Sequence, residues 1–167
     1  MYTIVVTCAV TGAETTRKDN VNLPLSPEEI GQAAFDAYNA GASIIHLHVR
    51  DKKGLPTQDL SVFKKTIEII RKKCDIVIEV TTGGAVGMSL EERVQPLQLE
   101  PEIASLDCGT INFGDEYIVN TLPMIRKVAC FMRDYTIRPT FECFDLSHID
   151  TSLALIREGF FQAPFHY

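Results

Sequence analysis

The segment Ile44-Ile45-His46-Leu47-His48-Val49-Arg50 concentrates the side chains best suited to chemistry. On a strand, successive side chains alternate faces, so His46, His48 and Arg50 share one face and Ile45, Leu47 and Val49 the other. Two imidazoles spaced this way on a rigid strand can each give one nitrogen to a single metal ion. The competing reading is a pair of hydrogen-bonded histidines filling a polar layer. A catalytic zinc takes three protein ligands, and a third is not evident from the residues themselves. Glu14 stands either as a contributor to such a site or as a solvated loop carboxylate. Thr81-Thr82-Gly83-Gly84 and Gly109-Thr110-Ile111-Asn112-Phe113-Gly114 bring glycines, hydroxyls and an amide. There, backbone N–H groups approach an anion or the segments are plain turns. Thr140 and Glu142 share a strand face, and a glutamate inside a strand needs a partner. That partner is a histidine that Glu142 orients, or Arg138 or Arg50 in a salt bridge. His148 and His166 read as capping or packing residues.

These residues are carried by an alternation of strands and helices. Strands are expected at 4–10, 43–49, 76–81, 103–108 and 136–144. Ser26-Pro27-Glu28-Glu29 and Ser89-Leu90-Glu91-Glu92 are capping boxes. The first helix carries Ile30, Ala33, Ala34, Ala37 and Tyr38 and stops at Gly41. Further helices are expected over 60–73, with Phe63, Ile67 and Ile70, and over 122–134, with Ile125, Val128, Ala129 and Met132. Pro96 and Pro101 interrupt the helix that opens at Ser89. A last helix, capped by Ser147 or Asp150, ends at Gly159, and residues 160–167 approach a sixth strand. Five β/α units imply a mostly parallel α/β sheet, either a small doubly wound one or part of a (β/α)8 barrel. A whole barrel needs about 250 residues, so in the barrel reading the 167 residues form a single partial domain.

Composition narrows the partners. There are 16 basic and 22 acidic residues, a net charge of −6, which argues against a backbone-driven nucleic-acid binder. Lys64-Lys65 and Arg71-Lys72-Lys73 read as the solvated face of a helix. No apolar run reaches the ~18 residues of a membrane span, and no basic residue precedes Arg17, so the start is not a signal peptide but a first strand. Five irregularly spaced cysteines without C-x-x-C exclude a zinc ribbon and a disulfide framework, and point to a reducing, cytoplasmic compartment.

Taken together, Thr7-Cys8-Ala9-Val10-Thr11-Gly12-Ala13, Ile45-His46-Leu47-His48-Val49-Arg50-Asp51, Thr81-Thr82-Gly83-Gly84, Pro101 to Gly114 and Glu142-Cys143-Phe144-Asp145 resemble the β-keto acid cleavage enzymes over the whole chain. The resemblance implies a zinc-dependent TIM (β/α)8 barrel, truncated at its C-terminal side after about five β/α units. It also implies acyl transfer between a β-keto acid, such as 3-keto-5-aminohexanoate of lysine fermentation, and acetyl-CoA, giving acetoacetate and a new acyl-CoA. By resemblance, His46 and His48 are zinc ligands and zinc polarises the keto oxygen. Glu14 binds the amino end of an aminated substrate. Thr82, Gly83 and Gly84 hold the carboxylate or thioester, Thr110 and Asn112 line the same pocket, and Glu142 is an inner polar residue. Thr140 departs from the acidic residue common among relatives. The family's third zinc ligand, a glutamate, and the aspartate and arginine that deprotonate the substrate belong to later strands. The resemblance therefore implies no catalytic base within the chain, little activity from it alone, and a homotetramer when complete. Two other readings are a non-catalytic barrel piece that needs a second chain, and a metal-dependent hydrolase on the same fold.

Overall fold

Short-range chemistry sets the element ends. The Ser26 hydroxyl accepts from Glu29 N while the Glu29 carboxylate accepts from Ser26 N, the reciprocal box expected there, with Pro27 opening the helix. Backbone N–H groups of Ser26 and Leu25, with the Arg17 guanidinium, hold the Glu29 carboxyl down to about 2. The computed structural model describes residues 4–167; Met1-Tyr2-Thr3, read above as the approach to the first strand, lie outside the described residues.

In chain order the elements are β1 (Thr7–Ala9), α1 (Pro27–Asn39), β2 (Ile44–Leu47), β3 (Val49–Arg50), β4 (Pro56–Thr57), α2 (Leu60–Lys73), β5 (Val77–Val80), α3 (Leu90–Arg93), β6 (Ile103–Asp107), β7 (Ile111–Phe113), β8 (Glu116–Ile118), α4 (Leu122–Asp134), β9 (Arg138–Glu142) and α5 (Leu146–Arg157). A 3-10 turn at Gln95–Leu99 holds Pro96 and replaces the rest of the helix that Ser89 opens. The main sheet has the order β1-β2-β5-β6-β9 with every pair parallel. Each crossover adds its strand on the same side, with no reversal of order. A doubly wound sheet requires such a reversal. Right-handed crossovers in one direction put the helices on one face. There Ile45, Leu47, Ile78, Val80, Ala104, Leu106 and Phe141 form a buried core with residues of α1, α2 and α4.

Several local features differ from the sequence expectation, and the first strand is shorter than expected, Thr7–Ala9. The second strand breaks at His48. Val49 and Arg50 leave the main sheet and pair with Thr57 and Pro56 in a hairpin. Its turn is fixed by the Asp51 carboxylate, which accepts from Lys53 N and Leu55 N, and by Gly54 at φ +81°. Ile111–Phe113 and Glu116–Ile118 form a second hairpin rather than a plain turn. The last helix starts earlier, with Asp145 accepting from Ser147 N. On α1 the packing residue is Gly31, not Tyr38: a Cβ at Gly31 would lie 2.4 Å from Ile69 Cγ2, so α1 and α2 approach closely there, while Tyr38 is exposed. Residues 160–167 return beside β9, where Thr140 bridges His166 in the parallel sense.

Candidate functional site

Polar residues collect on the sheet face away from the core. In register, Ala9, His46 and Glu79 stand side by side on β1, β2 and β5, and neighbouring strands are about 4.8 Å apart. His46 Nδ1 therefore meets Glu79 Oε1 at 2.5 Å. The other Glu79 oxygen accepts from Thr140 Oγ1, which is also 3.2 Å from His166 Nδ1. Burial pushes the Glu79 carboxyl up, but hydrogen bonds from His46 and Thr140 and the nearby imidazoles outweigh it, leaving the group below its ordinary value. An ionised Glu79 at His46 Nδ1 orients the ring and turns Nε2 away from the carboxylate.

His48 sits at the strand break with its ring 5.1 Å from that of His46. Burial foremost, then the charges of His46 and Arg50, drives its pKa down to about 3. It is thus a neutral imidazole, the form a metal accepts. Glu142, at the end of β9, completes the group: His46, Glu79 and Glu142 each offer a ligand atom within 4.8 Å of the others. Glu142 pairs in register with Asp107 at the end of β6. Burial and the adjoining Asp107 carboxylate push the Glu142 carboxyl up to about 9.

Two cavities, of about 210 and 560 Å³, open onto this cluster, and both are lined by His46, His48, Glu142 and Phe144. Glu14, Gly83, Gly84 and Asp107 line the smaller one, and Thr140 and His166 the larger. The structure thus brings Glu14, His46, His48, Gly83, Gly84 and Glu142 together. Thr82 is placed elsewhere: its hydroxyl donates to Ser105 O and its N–H to Ser105 Oγ. Thr81 lines the cavity instead, its Oγ1 accepting from Gly83 N and Gly84 N. Thr110 and Asn112 are exposed, because the alternation along β7 turns Ile111 and Phe113 into the cavity. Arg50 does not share the histidine face. It is drawn off into the hairpin, where it donates to Gly12 O and Thr15 O and so holds the loop that carries Glu14.

Sequence reasoning missed four participants: Glu79, Asp107, Arg93 and His166. For Glu79 the signal was present, since a charged residue in the run Ile76-Val77-Ile78-Glu79-Val80 obeys the same rule applied to Glu142. Arg93 is buried behind the glycine turn. Its Nε donates to Thr82 O, Nη1 to Val119 O and Nη2 to Asn120 Oδ1, and Nη2 lies 3.4 Å from Asp107 Oδ2. Gln58 Nε2 ties the same segment through Arg93 O and Thr81 O. His148, read as a packing residue, is buried and accepts from Phe144 N.

The raised Glu142 group has a pH consequence. A carboxyl whose folded pKa exceeds its unfolded 4.5 contributes stability below pH 4.5 that is lost as pH rises through about 9. The metal-free chain is therefore expected to lose stability from about pH 7 to 8.5, where His48 no longer titrates. Glu142→Gln is expected to flatten that slope, whose limit is about 1.4 kcal/mol per pH unit for one proton. Urea titrations at several pH values measure it, and an unchanged slope in the variant would contradict the assignment.

The fold and site define an α/β protein whose parallel strands present a histidine–carboxylate cluster with two open cavities. Residues 3–167 match the family model described as beta-keto acid cleavage enzyme, and the chain belongs to that family. It is 48% identical over 169 residues to the 3-keto-5-aminohexanoate cleavage enzyme of Fusobacterium nucleatum subsp. nucleatum, covering 100% of this chain and 62% of that protein. It is 35% identical over 188 residues to a 3,5-dioxohexanoate:acetyl-CoA acetone transferase of Paraburkholderia graminis, covering 97% of this chain and 61% of the relative. The chain therefore spans about 62% of the length of the first of these relatives. Among solved structures, ObcA in ternary complex with a C4-CoA adduct and oxalate shares the fold, with a TM-score of 0.73 at 20% identity over 82% of this chain and 34% of that one. Among the described residues no helix is long and apolar enough to cross a membrane.

Proposed function

We propose that the chain is a single partial (β/α)8 barrel domain carrying the first five β/α units and much of the active site of a zinc-dependent β-keto acid cleavage enzyme. The reaction passes the acyl half of a β-keto acid such as 3-keto-5-aminohexanoate to CoA, while its carboxymethyl remainder joins the acetyl group of acetyl-CoA as acetoacetate, as in lysine fermentation in the cytoplasm, within a homotetramer. The observation that carries this reading is the pair of adjacent imidazoles, His46 anchored by Glu79 and His48 desolvated beside it. The sheet order without reversal supports a barrel, and the relatives named for acetyl-CoA transfer support the co-substrate.

His46, Glu79 and Glu142 bring ligand atoms within 4.8 Å of one another and the His48 ring lies 5.1 Å from that of His46; in this reading His46 and His48 would hold zinc, with Glu142 within reach. Bound there, zinc supplies Lewis-acid polarisation of the keto oxygen. Glu79 orients the His46 ring through Nδ1. Glu14, at the rim of the smaller cavity, pairs with the amino group of an aminated substrate, and Gly83 and Gly84 let the substrate carboxylate approach the backbone. Ile111, Phe113 and Ile118 line the same cavity and exclude water.

The test is a pair of variants. His46→Ala is expected to abolish zinc uptake; unchanged metal content would refute the ligand role. Glu14→Gln is expected to weaken an aminated keto acid at least ~10-fold more than an unaminated one, the scale of a lost charged hydrogen bond. Equal losses for both would sink the amino-recognition role. A second reading, a barrel piece that works only with another chain, is favoured by exposed apolar residues flanking the two edge strands, Ile4 79% and Val5 57% before β1 and Phe144 62% and Leu146 81% after β9.

A further inference from the structure

A groove of about 710 Å³ lies between the start of α1, the first turns of α2 and the β3–β4 hairpin, and shares no lining residue with the two cavities on the histidine cluster. Its size falls in the range of small-molecule sites. Arg17, Arg50, Lys52, Lys53 and Lys65 line it, in a chain whose net charge is −6. Glu29 and Asp51 also line it, but both carboxylates are committed to local backbone. Glu29 accepts from Leu25 N and Ser26 N and pairs with Arg17, and Asp51 accepts from Lys53 N and Leu55 N. Lys65 pairs with Glu28. Among the described residues Arg50, Lys52 and Lys53 have no carboxylate within salt-bridge distance.

Arg50 is the telling one. It is only 4% exposed. Its Nη atoms go to the carbonyls of Gly54, Gly12 and Thr15, and its Nε is buried with no hydrogen-bond partner among the described residues. A buried guanidinium without a counter-ion is costly. Three unpaired cations within four residues, at a groove too large for one carboxylate, call for a ligand with several negative charges. Diphosphate is the compact group with that charge, and Arg and Lys are its usual partners.

We infer that this groove binds the diphosphate group of a small molecule, with Arg50 at its floor and Lys52 and Lys53 at its rim. The CoA thioester of the proposed reaction carries a diphosphate, and only the identification of that source rests on the proposed function. Arg50 also fixes the Glu14 loop, so occupancy of the groove and placement of Glu14 meet in one side chain.

Titration of the full chain with inorganic pyrophosphate at low salt, followed by calorimetry, tests the site. Saturable one-to-one binding is expected. It should weaken at least ~10-fold in the Lys52→Ala/Lys53→Ala variant and stay within ~2-fold in Lys64→Ala/Lys72→Ala, which lies on the exposed face of α2 outside the groove, because a local ion pair differs from a general field. Absence of saturable binding, or equal losses in the two double variants, would overturn the inference. The lysine pair is exposed, so the variant does not depend on the burial of Arg50. Displacement of pyrophosphate by CoA identifies the co-substrate as the source. Pyrophosphate binding that CoA does not displace upholds the site, assigns it to another diphosphate compound and leaves the proposed reaction to its own tests.

Discussion

Arg93→Met is expected to lower the unfolding free energy by about 3–5 kcal/mol, the cost of breaking a buried ion pair by removing one partner. The guanidinium is almost wholly buried and joins three segments. These are the turn after β5 through Thr82 O, the segment after β8 through Val119 O and Asn120, and the end of β6 through Asp107. Methionine fills similar volume but leaves Thr82 O, Val119 O and Asn120 Oδ1 without this donor and takes the positive partner from the Asp107 carboxylate. Among the described residues the side-chain donor left to Asp107 Oδ2 is Asn120 Nδ2 at 3.4 Å. Arg93→Lys recovers little, since a single ammonium cannot span the Thr82, Val119 and Asn120 acceptors at once. Combining Arg93→Met with Asp107→Asn should restore part of the loss, because the stranded charge is removed. Urea denaturation gives the numbers. A loss under about 1 kcal/mol for Arg93→Met, the value of an exposed pair, would show that the network does not hold the turn.

If His46 holds zinc as proposed, Glu79→Gln is expected to reduce zinc affinity by about 10- to 100-fold, the usual effect of removing the carboxylate behind a metal-binding histidine. The carboxylate lies 2.5 Å from His46 Nδ1 and is itself held by Thr140 Oγ1. It orients the ring through Nδ1. Glutamine keeps the shape and one acceptor but loses the charge, so the variant separates electrostatic support from packing. Competition with a chelator of known affinity measures the change. Unaltered affinity would mean that His46 needs no carboxylate and that Glu79 serves only the fold.

Much of this site could be read before any coordinates. The helices at 60–73 and 122–134 match the observed bounds, because Asp59, Thr121 and the periodic apolar residues act over a single turn. His46, His48 and Glu142 fall on the polar face because strand alternation is a local rule. What stayed hidden depends on neighbours distant in sequence. Glu79 is meaningful only beside His46, and β5 reaches it through a register that no short segment encodes. Arg93 reads as an ordinary residue of a helix end until Asp107 and Asn120, 14 and 27 residues away, close around it. The shift from Thr110 and Asn112 to Ile111 and Phe113 has the same origin, since the phase of a strand's alternation is set by a hairpin partner, here Glu116–Ile118. Thr140, noted as a departure from an acidic residue, becomes intelligible as the second hydrogen-bond partner of Glu79.

The proposed reaction is tested most directly by following the carbonyl carbon of labelled acetyl-CoA in the presence of 3-keto-5-aminohexanoate. The protein assayed should be this chain extended by the portion that its relatives carry beyond the matched segment. The account predicts zinc-dependent appearance of the label in the keto carbon of acetoacetate. The acyl half of the keto acid should leave as a new CoA thioester, and His46→Ala should yield neither product. Label that stays in acetyl-CoA or appears as free acetate, or an equal yield from His46→Ala, would contradict it.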